Sequence, residues 1–457
     1  MSSPTPSYPN LQTSFNQSQP STPRLSSRMS MQSDGDFRDE NEFVVVAEGD
    51  REQDDGTASA LQSCEKWVLR PYRYLLLFLG WTDFGRGYKR VLRWIWVAAI
   101  CFFIILTSLT QILSCFRRDR LDPHHKSSNS SIVSILCSNN LVSSYILLDL
   151  LVIISYLYGL YLFSKSETEY LLRLAENVFV KCYKFQRWPD PVPKFLIVTV
   201  FIYITGGISW IILSIFVRVL HAASYHLFSH HVHSEWESGP HLTHELKLAL
   251  LGYSIFGFIF FDAVYVAAVV NHATQSEMNI YLLQSIKIRI LSRKYSTTDE
   301  AIKDVKLASD HIRELNGKTA TATALILFNL GASGVIAFMK LNDDNHQSGA
   351  QVVSSVFNML LWSLLVLFPF VQAARVSSYC SKLLKTAPTI RARSLLYQES
   401  TTAELDSFIM YTSAIKMRAK MFGIPIYPWL MYSFLVVISF TMLVLFETGG
   451  YSVEGWF

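Results

Sequence analysis

Seven long apolar runs, separated by polar and charged stretches, set the pattern of this chain: Trp94–Ser114, Leu141–Phe163, Phe195–Val217, Leu248–Val270, Ala320–Met339, Val352–Val371 and Tyr427–Phe446. Each holds about 20 residues or slightly more, and a helix of that length crosses the roughly 30 Å hydrocarbon layer of a bilayer. The pattern predicts an all-α polytopic membrane protein with seven transmembrane helices. Composition agrees: 50% of the residues are apolar and 17% are charged, against about 25% charged in soluble domains.

Charge placement gives the direction of threading, because Lys and Arg collect in loops that stay on the cytoplasmic side. With the N-terminus inside, 29 Lys and Arg flank the inside ends or fill the inside loops, while the first outside loop holds four: Arg117, Arg118, Arg120 and Lys126. The expectation is therefore a cytoplasmic N-terminus and an extracellular C-terminus. This is the reverse of a G-protein-coupled receptor, and no Asp-Arg-Tyr or Asn-Pro-x-x-Tyr closes the third or seventh run. The net charge of +4 reports topology and does not call for nucleic acid.

Residues 1–60 form a separate zone, rich in Ser, Thr, Pro, Gln and Asn and then acidic over Asp34–Asp55. Such composition buries too little apolar surface to offset ordering entropy, so a disordered cytoplasmic tail is expected, open to phosphorylation or without a role in the core activity. An interfacial lead-in at 61–93, transmembrane helices one to six over 94–371 with a helical loop at 271–319, and cytoplasmic anchor helices at 372–423 follow. The seventh helix at 424–449 and an extracellular tail at 450–457 complete the division.

The outside loops offer three candidates. Asn129-Ser-Ser is a glycosylation sequon, and Cys115 and Cys137 at the two ends of the first loop are either a disulfide or two unpaired thiols. Between runs three and four stand seven histidines, His221, His226, His230, His231, His233, His241 and His244. They read as a metal or proton site or as a polar loop of biased composition; without cysteines or a two-His-plus-carboxylate helix pattern, no metal ligands are assigned. Two carboxylates stand inside the runs, Asp149 about two turns from the outside end and Asp262 about two turns from the inside end. Intramembrane carboxylates face a bundle interior or a water cavity, as a ligand or proton site or as a structural hydrogen bond. No catalytic constellation or cofactor motif is present, so neither an enzyme nor a cofactor is expected.

The inside segments carry amphipathic stripes. Met278, Tyr281, Leu282, Ser285 and Ile288 continue run four beyond the membrane; Ile302, Val305, Ala308, Ile312 and Leu315 line a second helix. Leu405, Phe408, Ile409, Thr412, Ile415 and Ala419 line a third, which predicts a helix reaching Phe422. These stripes call for a cytoplasmic anchor bundle. Gly423, Pro425 and Pro428 then break the chain before the last run, a hinge between the anchor and the seventh helix.

This arrangement resembles the insect gustatory and odorant receptor superfamily, and within it a divergent gustatory receptor-like protein. Its closing signature is Thr-Tyr, five mostly apolar residues and Gln-Phe, about eighteen residues after a Gly that ends the cytoplasmic helix. Gly423 and Thr441 match; Met442 stands for Tyr, and Thr448-Gly449 for Gln-Phe. The lead-in Arg70-Pro71-Tyr72-Arg73 and Leu79-Gly80-Trp81 is similar to the family's stretch before the first span. The resemblance implies a homotetrameric, ligand-gated, non-selective cation channel of the plasma membrane, its pore lined by Thr441, Leu445, Thr448 and Gly449. Leu445 is the expected constriction and Glu447 an acidic ring at the outer mouth. It also implies a small-molecule pocket in the outer half of each subunit, with Tyr145, Asp149, Trp210, Tyr253, Phe256 and Phe357 as candidates. Apart from lipid, a small molecule and further copies of the chain, no partner is implied. A transporter or lipid-handling protein built on Asp149 and Asp262, or a non-conducting relative, are the alternatives.

Overall fold

A computed structural model describes residues 65–82, 88–120, 147–163, 171, 173–178, 192–232, 244–292, 297–343, 349–392 and 401–433, with single positions 62, 295, 436 and 439. The chain separates into two units, Met1–Asp50 and Arg51–Phe457, and all the described residues belong to the second. After a π-helical turn at Glu65–Leu69 come α1 (Arg70–Phe78), α2 (Tyr88–Arg120), α3 (Leu147–Leu162), α4 (Val192–Val232) and α5 (His244–Leu291). Then follow α6 (Thr298–Glu314), a π turn at Leu315–Thr319, α7 (Ala320–Asp343), α8 (Gly349–Leu384), α9 (Thr386–Ala392) and α10 (Thr402–Ala414). Two short strands follow, β1 (Lys420–Met421) and β2 (Ile424–Pro425), before a helical stretch at 428–433.

Among the described residues four helical stretches are long and apolar enough to cross a membrane: Tyr88–Leu109, Phe195–Leu220, Ile255–Leu291 and Val356–Thr389, with Asp149–Leu162 a shorter apolar helix. The chain is a membrane protein. Helix α5 is the central post: 78% of its apolar window is buried, against 22–33% in the other three. The others turn large apolar side chains outward, as Phe195, Ile212 and Phe216 on α4 and Leu364 on α8 do. That is the expected solution where one helix is enclosed by neighbours and the neighbours face lipid.

Helices α4 and α5 run antiparallel. Arg218 meets Asp262, Gly207 packs under Val266 and Val270, and Tyr203 reaches Glu277. A Cβ on Gly207 would stand 2.6 Å from Val266, so glycine permits this approach. The pairing shifts the expected fourth span. The part of α5 level with the third apolar run begins near Asp262, not at Leu248. Asp262 therefore lies opposite the far end of the third run, where Arg218 stands. The extension predicted from the Met278–Ile288 stripe is continuous with α5, and Met278, Tyr281, Leu282 and Ser285 are buried.

The lead-in is locked on α2 and α3. Leu79-Gly80-Trp81 turns through Gly80 at φ +71°, a left-handed conformation that suits glycine. Arg93 donates to the Gly80 and Trp81 carbonyls at 2.9 and 3.2 Å, and the Tyr156 hydroxyl donates to Leu79 at 2.9 Å. Trp81 stacks on Phe163 at 5.0 Å.

Helix α6 forms as its stripe requires. Thr297 caps it, accepting from the Glu300 amide, and Val305, Ala308, Ile312 and Leu315 are buried. Helix α10 is shorter than expected. It ends at Ala414, and Ile415 is extended (φ −75°, ψ 123°), so Ile415 and Ala419 share no helical face with Phe408 and Thr412. Instead Met417, Ala419 and Met421 are buried while Lys416, Arg418 and Lys420 are exposed, the period-two burial of an extended strand.

Candidate functional site

Helices α4, α5, α7 and α8 bring a polar and aromatic cluster together inside the bundle. Arg218 Nη2 lies 3.2 Å from Asp262 Oδ1, and the Asp262 side chain is fully buried. The Arg218 guanidinium lies 4.1 Å from the Phe258 ring centre and 5.5 Å from that of Trp362. A buried pair of this kind persists because each ion offsets part of the other's desolvation, and the ring faces add cation–π attraction. Trp362 meets Trp210 edge to face at 6.0 Å and Tyr265 at 5.7 Å. Each indole is fixed by its N–H: Trp210 donates to the Leu361 carbonyl at 3.0 Å, and Trp362 to Asn358 Oδ1 at 2.6 Å. Asn329 on α7 donates to the Tyr265 hydroxyl at 2.8 Å. Asp149 on α3 keeps one carboxylate oxygen, Oδ2, buried without a hydrogen-bond partner among the described residues.

A second aromatic group joins α2 to α5. Tyr253 donates to the Phe103 carbonyl at 3.1 Å and stacks on the Phe103 ring at 5.4 Å, while Phe256 and Phe260 pack around the same ring. Further along α5, Arg375 of α8 holds Glu277 with two bonds of 2.7 and 3.1 Å, and Tyr203 of α4 donates to Glu277 at 2.9 Å. Gln372 donates to Tyr203 at 2.9 Å. Three helices meet on one carboxylate.

The approach to the seventh helix is a hairpin. Lys420 pairs with Pro425 and Met421 with Ile424, and the two residues between, Phe422 (φ 54°) and Gly423 (φ +75°), are both left-handed. Two positive-φ residues define the tight hairpin turn whose twist matches its strands. The hairpin is tied down at its base. Asn316 in the π turn donates to the Arg418 carbonyl at 2.8 Å and accepts from the Lys420 amide at 2.7 Å; Ser377 of α8 accepts from the Ala419 amide at 3.1 Å. Arg418 also bonds the Tyr427 hydroxyl. Where α5 meets α6, Arg289 bonds Asp304 at 2.6 Å and Tyr295 donates to the same carboxylate at 2.8 Å. Burial and the Asp304 charge together push the Tyr295 phenol above its ordinary range.

No protein-family model and no curated protein matches this sequence. Among solved structures, the insect olfactory receptor OR5 from Machilis hrabei in complex with eugenol is similar, at a TM-score of 0.52 and 13% identity, over 85% of this chain and 98% of that one. A second structure of the same receptor gives a TM-score of 0.49 at 13% identity, over 86% and 99%. The chain shares its fold with this insect olfactory receptor.

This receptor fold sorts the residues singled out by sequence. Trp210 joins the cluster around Trp362, while Asp149 stands on α3 and, among the described residues, bonds none of its members. Tyr253 and Phe256 belong to the separate group around Phe103. Phe357 is 56% exposed and has no place in either. The hinge residues form one unit: Gly423 in the turn, Pro425 in β2, and Pro428 opening the last helical turn. Tyr145, Cys137, Asn129, Thr441, Leu445, Glu447, Thr448 and Gly449 lie outside the described residues. So do His233 and His241, and of Cys115 and the other five loop histidines only the backbone is described. Among the described residues no cluster of His, Cys, Asp or Glu could hold a metal.

Sequence reasoning missed Arg218, Tyr265, Asn329 and Trp362. Arg218 follows directly on an apolar run and reads as a boundary charge. Only its partner, Asp262, already flagged as an intramembrane carboxylate, identifies it as an internal ion. Asn329 had a signal, an amide near the middle of run five.

Proposed function

We propose that this chain is a gustatory receptor-like chemoreceptor of the plasma membrane, working as a homotetrameric, ligand-gated, non-selective cation channel. Its N-terminus is cytoplasmic and its C-terminus extracellular. Four copies of the seventh helix, 424–449, line the pore through Thr441, Leu445, Thr448 and Gly449, with Leu445 as the constriction and Glu447 as the outer acidic ring. The observation that carries this reading is the shared fold with an olfactory receptor that holds the small molecule eugenol. The ligand acts on the bundle of α2 to α8, and its effect reaches the pore through α8, which contacts both the bundle and the hairpin beneath the seventh helix.

Two features of the chain support assembly. Met410 on α10 and Phe422, Ile424 and Trp429 around the hairpin are 50–73% exposed. On the cytoplasmic side no lipid covers them, and copies of the same surface would. Asn316 and Ser377 also hold the hairpin from which the seventh helix departs.

The experiment is imaging of purified particles together with recordings from cells expressing the chain. Fourfold symmetry and a cation current altered by Leu445→Ala and reduced by Glu447→Gln are expected. A monomer, or a current untouched by both substitutions, overturns the pore assignment.

A further inference from the structure

The lead-in presents an outer face that the bundle leaves open. Helix α1 buries Tyr72 and Leu76 and exposes Arg70, Arg73 and Tyr74, while Lys66 and Trp67 are exposed in the π turn before it. Arg70, Arg73 and Tyr74 follow one another at helical spacing, so they share one side of α1. At the start of α2, Tyr88, Lys89, Arg90 and Trp94 are exposed as well. Lys89 and Arg90 stand one turn before Arg93, on the side of α2 from which Arg93 reaches the Gly80 and Trp81 carbonyls. That lock, with the Trp96 indole donating to the Phe78 carbonyl at 2.8 Å, joins the basic start of α2 to the end of α1.

The charge on this face is one-sided. Lys66, Arg70, Arg73, Lys89 and Arg90 stand against a single described carboxylate, Glu65. Among the described residues none of these cations is in an ion pair. Helix α6 shows the contrast: there Lys303 pairs with Asp299 at 2.7 Å and Arg313 with Asp310 at 3.2 Å, the self-neutralised surface of a helix in water. Between the lead-in cations stand large rings, with Trp67 51%, Tyr74 69% and Tyr88 76% exposed. Rings and open cations together suit a bilayer surface, where Trp and Tyr sit at headgroup level and Lys and Arg meet anionic lipid. The position fits, because α1 leads directly into Tyr88–Leu109, a stretch long and apolar enough to cross a membrane.

We propose that the lead-in is a docking surface for anionic phospholipid. Lys66, Arg70, Arg73, Lys89 and Arg90 answer the charged headgroup, and Trp67, Tyr74 and Tyr88 cover the apolar region just below it. The proposal takes from the cytoplasmic N-terminus proposed above only which leaflet supplies the lipid.

The test counts lipids bound to the full chain by native mass spectrometry. The protein is purified in a neutral detergent and titrated with phosphatidylserine or with phosphatidylcholine. Phosphatidylserine is expected to bind at least about fivefold more tightly, as several cations near one anionic headgroup require. The combined variant Lys66→Gln, Arg70→Gln, Arg73→Gln is expected to bring the two lipids within about twofold of each other, and Lys89→Gln with Arg90→Gln to narrow the gap part of the way. A variant that removes as many exposed cations from α6, Lys303→Gln, Lys306→Gln, Arg313→Gln, is expected to keep the parent's preference. Equal binding of the two lipids by the parent, a preference untouched by the α1 substitutions, or an equal loss in the α6 variant overturns the proposal. So does a lead-in whose substitution separates copies of the chain without changing lipid binding, which makes the face a protein contact. Detergent presents lipid to both ends of the chain and no current is read, so the result stands whether or not the threading and channel readings hold.

Discussion

Arg375 and Glu277 form a two-pronged ion pair in which the partners differ sharply in burial: the carboxylate side chain is 3% exposed and the guanidinium 40%. The pair joins α8 to the central helix, and Tyr203 brings α4 to the same carboxylate. The asymmetry decides what each substitution costs. Removing Arg375 strands a buried carboxylate, whereas removing the Glu277 charge leaves a cation that can reach water. Arg375→Ala is expected to cost about 3 kcal/mol, in the range for breaking a buried pair. Glu277→Gln is expected to cost about 1 kcal/mol, since an amide still accepts from Tyr203. Thermal unfolding in nanodiscs measures both, and equal losses would show that burial of Glu277 is not the controlling factor.

Asn316 clamps the hairpin from both directions, donating to Arg418 and accepting from Lys420. Asn316→Ala removes two bonds to backbone. At about 1 kcal/mol each, the clamp weakens by about 2 kcal/mol. Proteolysis after Arg418 or Lys420 should speed up by about tenfold or more, while the melting of the whole bundle changes little. A hairpin as protected in the variant as in the parent would mean that Ser377 alone fixes it.

How much of this was legible in the chain differs by element. The α6 stripe is a local property, and the Thr297 cap closes its start, so sequence and structure agree there. The end of α10 is not local in the same way. Leu405 to Ala419 keeps a helical spacing of apolar residues, yet Ile415-Lys-Met-Arg-Ala-Lys-Met421 also alternates at period two. The two periods overlap at Ile415 and Ala419. Tertiary bonds from Asn316 and Ser377, 102 and 42 residues away in sequence from their partners Arg418 and Ala419, favour the extended form. The Tyr265 cluster was half legible: its carboxylate is conspicuous in an apolar run, but the register that sets Arg218 beside Asp262 depends on Gly207 letting α4 approach Val266.

Gly159 on α3 supplies a test of the lead-in. A Cβ at this position would fall 2.4–2.9 Å from three ring atoms of Trp81, and Trp81 is held between Phe163 and Tyr156. The indole cannot yield without breaking the Arg93 bonds to Gly80 and Trp81. Gly159→Val is expected to cost about 2–3 kcal/mol, as overpacking of a filled interior does. Gly206, one position before the close contact on α4, has open space around it, so Gly206→Ala is the matched control. Its melting temperature should hold or rise, because alanine favours the helix by about 1 kcal/mol over glycine.

Tyr295 links the junction of α5 and α6 to pH. Its hydroxyl donates to Asp304, and burial with that carboxylate raises the phenol above its ordinary value of about 10. A raised folded value means that the folded state keeps the proton while the unfolded chain releases it. The stabilisation is therefore complete below about pH 10 and declines as the pH climbs beyond it. Tyr295→Phe removes the donor but leaves Asp304 bonded to Arg289. At pH 8 the variant is expected to be less stable by about 1 kcal/mol. Above pH 10 the gap should close and then reverse, because only the parent pays to keep that phenol protonated. Melting curves of the two proteins from pH 8 to pH 11 give the difference directly, with the other tyrosines cancelling. A gap that stays constant over this range would mean that Tyr295 ionises as freely in the folded protein as in the unfolded chain.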